Sequence, residues 1–200
     1  MKHKETIAPD DNYNFSCDYE VVLDHPIDKV FDVLGNGDNV ETVVRLSSLC
    51  TTFETFTEKS DFVATPNDTP LSATRVRTLP SAPSATSQDG PKLYPRRHFH
   101  FCERVKIMWG ITSTDVHLDG THTWDEAGRI ALYETKSPQG VEVWKLRRFE
   151  ELDEEGKKRT KVMESIRGTA PMLLKSIVQK EATQQHRLHM NNYERLFAAA

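Results

Sequence analysis

Cysteine is scarce in this chain. The three present among 200 residues, Cys17, Cys50 and Cys102, lie far apart and form no C-x-x-C pair. That excludes a disulfide-stapled scaffold and argues against a zinc ribbon, leaving buried thiols in a reducing cytoplasm as the expectation. Long apolar runs are missing as well. None approaches the roughly 20 residues that cross a bilayer, so no transmembrane segment is expected. No apolar stretch follows the charged start Met1-Lys2-His3-Lys4-Glu5, and no secretory leader is visible. Basic charge is not in excess: 26 Lys and Arg face 30 Asp and Glu, for a net charge of −4. Without a basic stripe, nucleic acid is not an expected partner. There is no dinucleotide fingerprint, no G-x-S-x-G and no H-E-x-x-H. Gly35-Asn36-Gly37-Asp38 lacks the spacing of a phosphate loop and carries an acid, so it reads as a turn. No cofactor and no metal are expected.

What is present is mostly strand-like. Phe15, Cys17, Tyr19, Val21 and Leu23 alternate with Ser16, Asp18, Glu20 and Val22, as in a half-buried strand. His25-Pro26 ends it, and Ile27, Val30, Phe31 and Leu34 then recur at helical spacing. Asp38, with Glu41 three residues on, predicts a capping box for a second short helix running to Ser47. Further strands are expected at Cys50 to Val63, His98 to Phe101, Val105 to Ile111, Arg129 to Thr135, Val141 to Glu151 and Arg159 to Arg167. Phe99, Phe101, Val105, Ile107, Trp109 and Ile111 share one parity. Asp153-Glu154-Glu155-Gly156 reads as a tight polar turn between acidic and basic flanks. The segment from about 65 to 96 departs from this pattern, with six prolines among many Ser, Thr and Ala residues. It reads as an insertion holding one short strand, Ser72 to Leu79, and a mobile loop from about Pro80 to Gly90. Its composition favours disorder over a lid. Residues 1–12 are expected to be a flexible arm, and 13–200 one domain.

The chain closes on a predicted long helix from about Thr169 to Phe197, with Thr169 as N-cap and Pro171 in the first turn. Ala170, Leu173, Leu174, Ile177, Leu188 and Leu196 fall on one broad stripe. Glu181 interrupts it, Gln185 follows one turn on, and His189 lies at its edge, with His186 on the polar side. A carboxylate on such a stripe is costly unless paired, hydrogen-bonded or beside water. Three accounts compete: Glu181 reaches a ligand cavity, pairs with a buried arginine such as Arg147, or sits where the stripe frays. Arg147 shares parity with Val141 and Val143 and so is expected to point inward.

The other polar constellation is Asp115-Val-His117-Leu-Asp119-Gly120-Thr-His122-Thr-Trp124. Asp-Gly predicts a two-residue hairpin turn, which would set His117 opposite His122. Such a pair could hold zinc with Asp115 or Asp119, or exchange protons; an ordinary solvent-facing hairpin is the simpler account. His98 and His100, opposite the apolar parity, are expected at the surface.

The first strand, the DHPIDKVFDVLGN helix, the run of antiparallel strands and the passage through IRGTAPMLLKSIVQ into a long helix resemble the helix-grip superfamily. It contains the START lipid-transfer, pollen-allergen-type and polyketide cyclase/dehydrase-like proteins. The resemblance implies an α+β fold: a curved antiparallel sheet of about seven strands around a long C-terminal helix, with two short helices after the first strand. It also implies a cavity between sheet and helix for a lipid, sterol, polyketide or terpenoid, or a cofactor-independent cyclase, dehydratase or isomerase of secondary metabolism. An interaction domain without a cavity is the third possibility. The residues expected to line the cavity are Phe99, Phe101, Val105, Ile107, Trp109, Arg147, Leu174, Ile177 and Gln185. Glu181 and His189 are the acid/base candidates.

Overall fold

A computed structural model describes residues 12–83, 91–107 and 112–198, the side chains at 57–59 and 106–107 excepted. β1 (Phe15–Leu23) follows the expected alternation, with Phe15, Cys17 and Leu23 buried. Pro26 precedes α1 (Ile27–Leu34), and its carbonyl accepts the Val30 N–H at 3.1 Å. Val30, Phe31 and Leu34 form the buried face of α1. A 3-10 turn at Gly37–Asn39 leads into α2 (Val40–Val44). The cap here is Asn36 and not Asp38: Asn36 has extended backbone, and its side chain accepts the Asp38 N–H at 3.1 Å. Asp38 already lies inside the turn, where no cap can sit, and it pairs with Arg97 instead. Glu41 bonds Arg45 one turn on, at 2.7 Å.

Six more strands follow: β2 (Cys50–Ala64), β3 (Leu93–Ile107), β4 (Thr112–Asp125), β5 (Ile130–Lys136), β6 (Glu142–Glu154) and β7 (Lys157–Thr169). They form one seven-stranded sheet in the order β1-β7-β6-β5-β4-β3-β2, every neighbouring pair antiparallel. The sheet is curved, and its inner face looks toward the C-terminal helix. Cross-strand register puts Cys17, Ile166, Lys145, Tyr133, His122 and Arg97 in one row across that face. The next row holds Tyr19, Glu164, Arg147, Ala131 and Trp124.

The two strands expected at 98–101 and 105–111 are one continuous strand, β3, as far as Ile107. The Asp119-Gly120 hairpin does not form, because both residues are internal ladder positions of β4, paired to Lys136 and Thr135 of β5. Gly120 serves a different purpose. The Phe99 ring lies across it, and a Cβ there would stand 2.5 Å from Phe99 Cε2. The β6–β7 turn matches expectation, with Glu155 and Gly156 both at positive φ (54° and 82°), as a two-residue hairpin of this hand requires.

The proline-rich insertion is a strap on the outer face of the sheet. It contains no strand at 72–79. Leu71 and Val76 are buried against Val63, Tyr94, Leu132, Trp144 and Leu146. Its backbone is pinned by polar groups of the sheet. Trp144 Nε1 donates to the Thr74 carbonyl at 3.0 Å, and Arg96 donates to the Val76 and Leu79 carbonyls at 2.5 and 3.0 Å. Glu134 accepts the Val76 and Arg77 N–H groups at 2.7 and 2.8 Å. Burial raises the Glu134 carboxyl above its ordinary value, and those N–H donors partly offset the rise. A few apolar anchors and satisfied backbone groups thus order a segment whose composition reads as disordered. Of the loop expected at 80–90, positions 84–90 fall outside the described residues, as do 1–11 of the expected N-terminal arm.

The closing helix is shorter than its pattern. Thr169 ends β7, a turn follows in which the Pro171 carbonyl accepts the Leu174 and Lys175 N–H groups, and α3 runs Lys175–Asn191. A 3-10 turn at Tyr193–Leu196 closes the chain. Asn14 holds the turn before α3 by bonding both the N–H and the carbonyl of Ala170, at 3.0 and 2.8 Å. The stripe is also displaced. Leu173 is 91% exposed and Leu188 57%, whereas His186, expected on the polar side, is 5% exposed. Val178, Ala182, His186 and Met190, at helical spacing of four, pack toward β1 and the core. The neighbouring stripe of Leu174, Ile177, Glu181 and Gln185 faces a void. No helix is long and apolar enough to cross a membrane among the described residues.

Candidate functional site: a cavity between sheet and helix

That void is a cavity of about 440 Å³ between α3 and the inner face of the sheet. Phe99, Phe101 and Val105 of β3, Val116 and Leu118 of β4, Val143 of β6 and Ile166 of β7 supply most of its sheet wall. Leu174, Ile177 and Val178 supply the helix wall, and Val44 and Leu49 reach in from the segment around α2. A second hollow, at the β6–β7 hairpin tip, is bounded by Glu154, Glu155, Lys157 and Arg159. Those charged side chains on a solvated turn offer no apolar enclosure, so the inner cavity is the candidate site.

The structure brings Phe99, Phe101, Val105, Leu174, Ile177, Glu181, Gln185 and His189 together on this cavity. Trp109 and the Ile107 side chain lie outside the described residues. Arg147 points inward as parity predicts, but it lies in the core and not on the wall. Its partner is Glu164, not Glu181, because Glu164 stands directly across the β6–β7 ladder. Arg147 also donates to the Leu34 carbonyl, to Tyr133 Oη at 3.2 Å and to Tyr193 Oη at 2.6 Å, and Tyr193 donates to Glu164 at 2.5 Å. Burial opposes charge on both partners, but their mutual attraction prevails: Glu164 is held well below, and Arg147 above, its ordinary value.

Behind the apolar walls stands a set of ionisable groups, two of which sequence reasoning passed over. Lys145 and Glu103 both line the cavity. Their signal was the parity already used for their neighbours: Lys145 lies between Val143 and Arg147, and Glu103 between Phe101 and Val105. Burial raises the Glu103 carboxyl; Lys145 opposes that and Glu181 adds to it. Burial lowers the Lys145 ammonium, with Glu164 and Glu103 opposing and Arg147 reinforcing. His189 Nε2 lies 2.7 Å from the Val43 carbonyl and therefore carries the proton and donates it. Burial first, then the Lys145 charge, depresses its pKa to about 3. At neutral pH His189 is an uncharged imidazole. It can offer a ligand a lone pair, but it is no proton donor of matched strength.

The paired-histidine reading is overturned by the register. His117 and His122 sit on one strand at an odd separation and project to opposite faces. His122 is buried on the inner face, stacked on Tyr133 at 4.2 Å between ring centroids, and burial holds it neutral. His117 lies on the outer face against His100, with 3.3 Å between ring nitrogens, and His100 bonds Asp119 at 2.9 Å. No group of three or more potential ligands is arranged to hold a metal among the described residues.

No family model and no curated protein matches this sequence. Solved structures do. TTHA0849 from Thermus thermophilus is 15% identical with a TM-score of 0.52, over 92% of this chain and 99% of that one. The Zhui aromatase/cyclase from a Streptomyces species is 11% identical with a TM-score of 0.57, over 90% of this chain and 91% of that one. At such low identity the likeness shows the fold alone: this chain has the helix-grip architecture.

Proposed function

We propose that this chain binds a hydrophobic small molecule of the polyketide, sterol, terpenoid or lipid kind in the cavity between its sheet and α3. One observation carries the reading. A void of about 440 Å³ falls within the roughly 300–1,000 Å³ of small-molecule sites. Its walls are aromatic and aliphatic, with a few polar groups among them. A cavity of this size also counts against a role resting on a collapsed core alone. The fold's likeness to an aromatase/cyclase supports the same class of ligand. The test is a thermal-shift and native mass spectrometry screen of the full chain against apolar polyketide-like, sterol and fatty-acyl compounds. The cavity-filling variant Leu118→Trp, at a buried wall position, is the control. Ligands that raise the melting temperature of the parent and not of the variant support the reading. Absence of any such ligand across the panel overturns it.

A second reading, cofactor-independent cyclisation, dehydration or isomerisation in the same cavity, is favoured by the convergence of Glu103, Lys145, Glu181 and His189 there. Glu181 is the acid/base candidate, and His189 is an acceptor that orients the substrate. If Glu181→Gln and His189→Ala both leave turnover of an identified substrate unchanged, those roles are wrong.

A further inference from the structure

We infer that Lys145 is a nucleophilic amine, and that the cavity takes up an apolar aldehyde or ketone as an imine on its Nζ. This rests on the ligand-cavity reading and adds to it a carbonyl-bearing ligand class and a covalent attachment point.

The position of Lys145 carries the inference. It projects from the middle of the sheet's inner face, between Ile166 on one side and Tyr133 on the other. What exposure it has is to the cavity. Other lysines of the chain are paired on the surface: Lys92 with Asp125, Lys136 with Glu142, Lys157 with Asp24 and Lys161 with Glu20, all at 2.6 to 2.9 Å. Lys145 has no ion pair and no hydrogen bond among the described residues. Its Nζ lies 4.5 Å from the centroid of the Tyr133 ring. Of the carboxylates acting on it, Glu164 is engaged by Arg147 and Tyr193, and burial holds Glu103 toward its protonated form. Arg147, two residues along the same strand, adds a second positive charge to the same face. An amine enclosed in an apolar pocket beside another cation is in the setting that favours the unprotonated nucleophile. Glu103 from β3, His122 from β4, Tyr133 from β5, Glu164 from β7 and Glu181, His186 and His189 from α3 are the other titratable groups around it. The three histidines are held toward the neutral form, chiefly by burial, and add no cationic repulsion.

The step balances without an oxidant or reductant. The Nζ lone pair attacks the carbonyl carbon and the C=O π pair moves to oxygen; that oxygen takes up a proton and the nitrogen gives one up, which leaves a neutral carbinolamine with one proton on nitrogen. That hydroxyl leaves as water with a second proton while nitrogen gives up its own, and the C=N bond forms. Glu103, which shares the cavity wall and whose carboxyl burial holds toward its protonated form, is the candidate to supply and recover the proton. A cavity that excludes water disfavours the reverse hydrolysis.

The experiment uses the full chain with cinnamaldehyde as probe and sodium cyanoborohydride to reduce any imine to a stable amine. Intact mass and peptide mapping locate the adduct. Each unit by which the amine pKa falls raises its unprotonated fraction about tenfold at neutral pH. The expected result is therefore a single adduct on the Lys145 peptide, forming faster than on any exposed lysine. Cinnamyl alcohol, which cannot form an imine, slows it by competition, and Lys145→Met, of similar length and without an amine, abolishes it. Labelling spread over surface lysines without excess at Lys145 overturns the inference. Cinnamyl alcohol then separates the two failures. If it still raises the melting temperature of the parent and not of Leu118→Trp, the cavity binds ligand and only the imine is wrong. If neither compound does, the ligand-cavity reading fails for this class.

Discussion

The Arg147–Glu164 pair permits a prediction in which two ways of breaking one contact are told apart by pH. Both side chains are fully buried. In Arg147→Met, Glu164 has lost its counter-charge but can escape the penalty by taking a proton. Bringing a carboxyl of ordinary pKa 4.5 into the neutral form at pH 7 costs about 3.4 kcal/mol, and at pH 5 about 0.7 kcal/mol. The Leu34 carbonyl, which accepts from Arg147, is orphaned in this variant at a pH-independent cost of roughly 1–3 kcal/mol. Total destabilisation should be about 4–6 kcal/mol at pH 7 and about 2–4 kcal/mol at pH 5. Glu164→Gln leaves a guanidinium that cannot be neutralised, so its cost of about 3–5 kcal/mol should hold at both pH values. The sign for the parent is clear. Glu164 titrates below its unfolded value, so its stabilisation is present above about pH 4.5 and lost as pH falls toward its folded pKa. Both test conditions lie above that window. Urea unfolding followed by circular dichroism, with a fixed slope per variant, measures all three proteins. Equal pH dependence in the two variants, or a Glu164→Gln cost below about 1 kcal/mol, would refute the buried-charge reasoning.

Two further predictions follow from the same structure. His122, His186 and His189 are all held below the ordinary histidine value, chiefly by burial. The unfolded chain therefore binds more protons below about pH 6.5, and stability falls with pH through that window. For His189, folded pKa about 3, the loss by pH 3 is at most roughly 4–5 kcal/mol. His189→Phe should flatten part of that slope in urea midpoints measured from pH 7.5 to 5, and an unchanged slope would show that His189 titrates normally. Leu71→Ala, at a buried anchor of the outer strap, should cost about 2–4 kcal/mol. It should leave cavity-ligand affinity within about twofold, since the strap lies on the opposite face; a large affinity loss in the folded variant would place the strap's influence inside the cavity.

The strands were legible where alternation met a one-sided core. Phe15 to Leu23 on β1 and Phe99 to Val105 on β3 show a period of two because one face is apolar, and their inward residues were named from parity alone. The same rule covered Lys145 and Glu103, but their charge drew them out of the expected wall, since a hydrophobic face was assumed to be continuous. Asp119-Gly120 misled for the converse reason. The dipeptide favours a turn locally, yet a flat glycine in mid-strand also lets the Phe99 ring cross β4, and the ladder to β5 decides between them. On α3, Glu181 and Gln185 sit within the apolar stripe because that stripe faces a void. The helix is sealed to the protein by the adjacent row, Val178 to Met190, which has a small residue and a histidine in it and so shows less contrast. The strap was illegible because its order comes from Glu134, Arg96 and Trp144, contributed by strands distant in sequence.

The side-chain bonds that tie α3 to the sheet lie toward β1, and one more, near its C-terminal end, reaches α2, which packs on β2 at the opposite edge. Gln179 bonds both the N–H and the carbonyl of Ser16 on β1, Tyr19 bonds Asn191, and His189 bonds Val43. Across the cavity, toward β3 and β4, no hydrogen bond joins helix to sheet among the described residues. Mechanically the helix is fastened along β1 and again at His189, and the span of it over the cavity has no polar tie to the sheet beneath. Displacing that span would disturb apolar contact alone and leave the strand pairing intact.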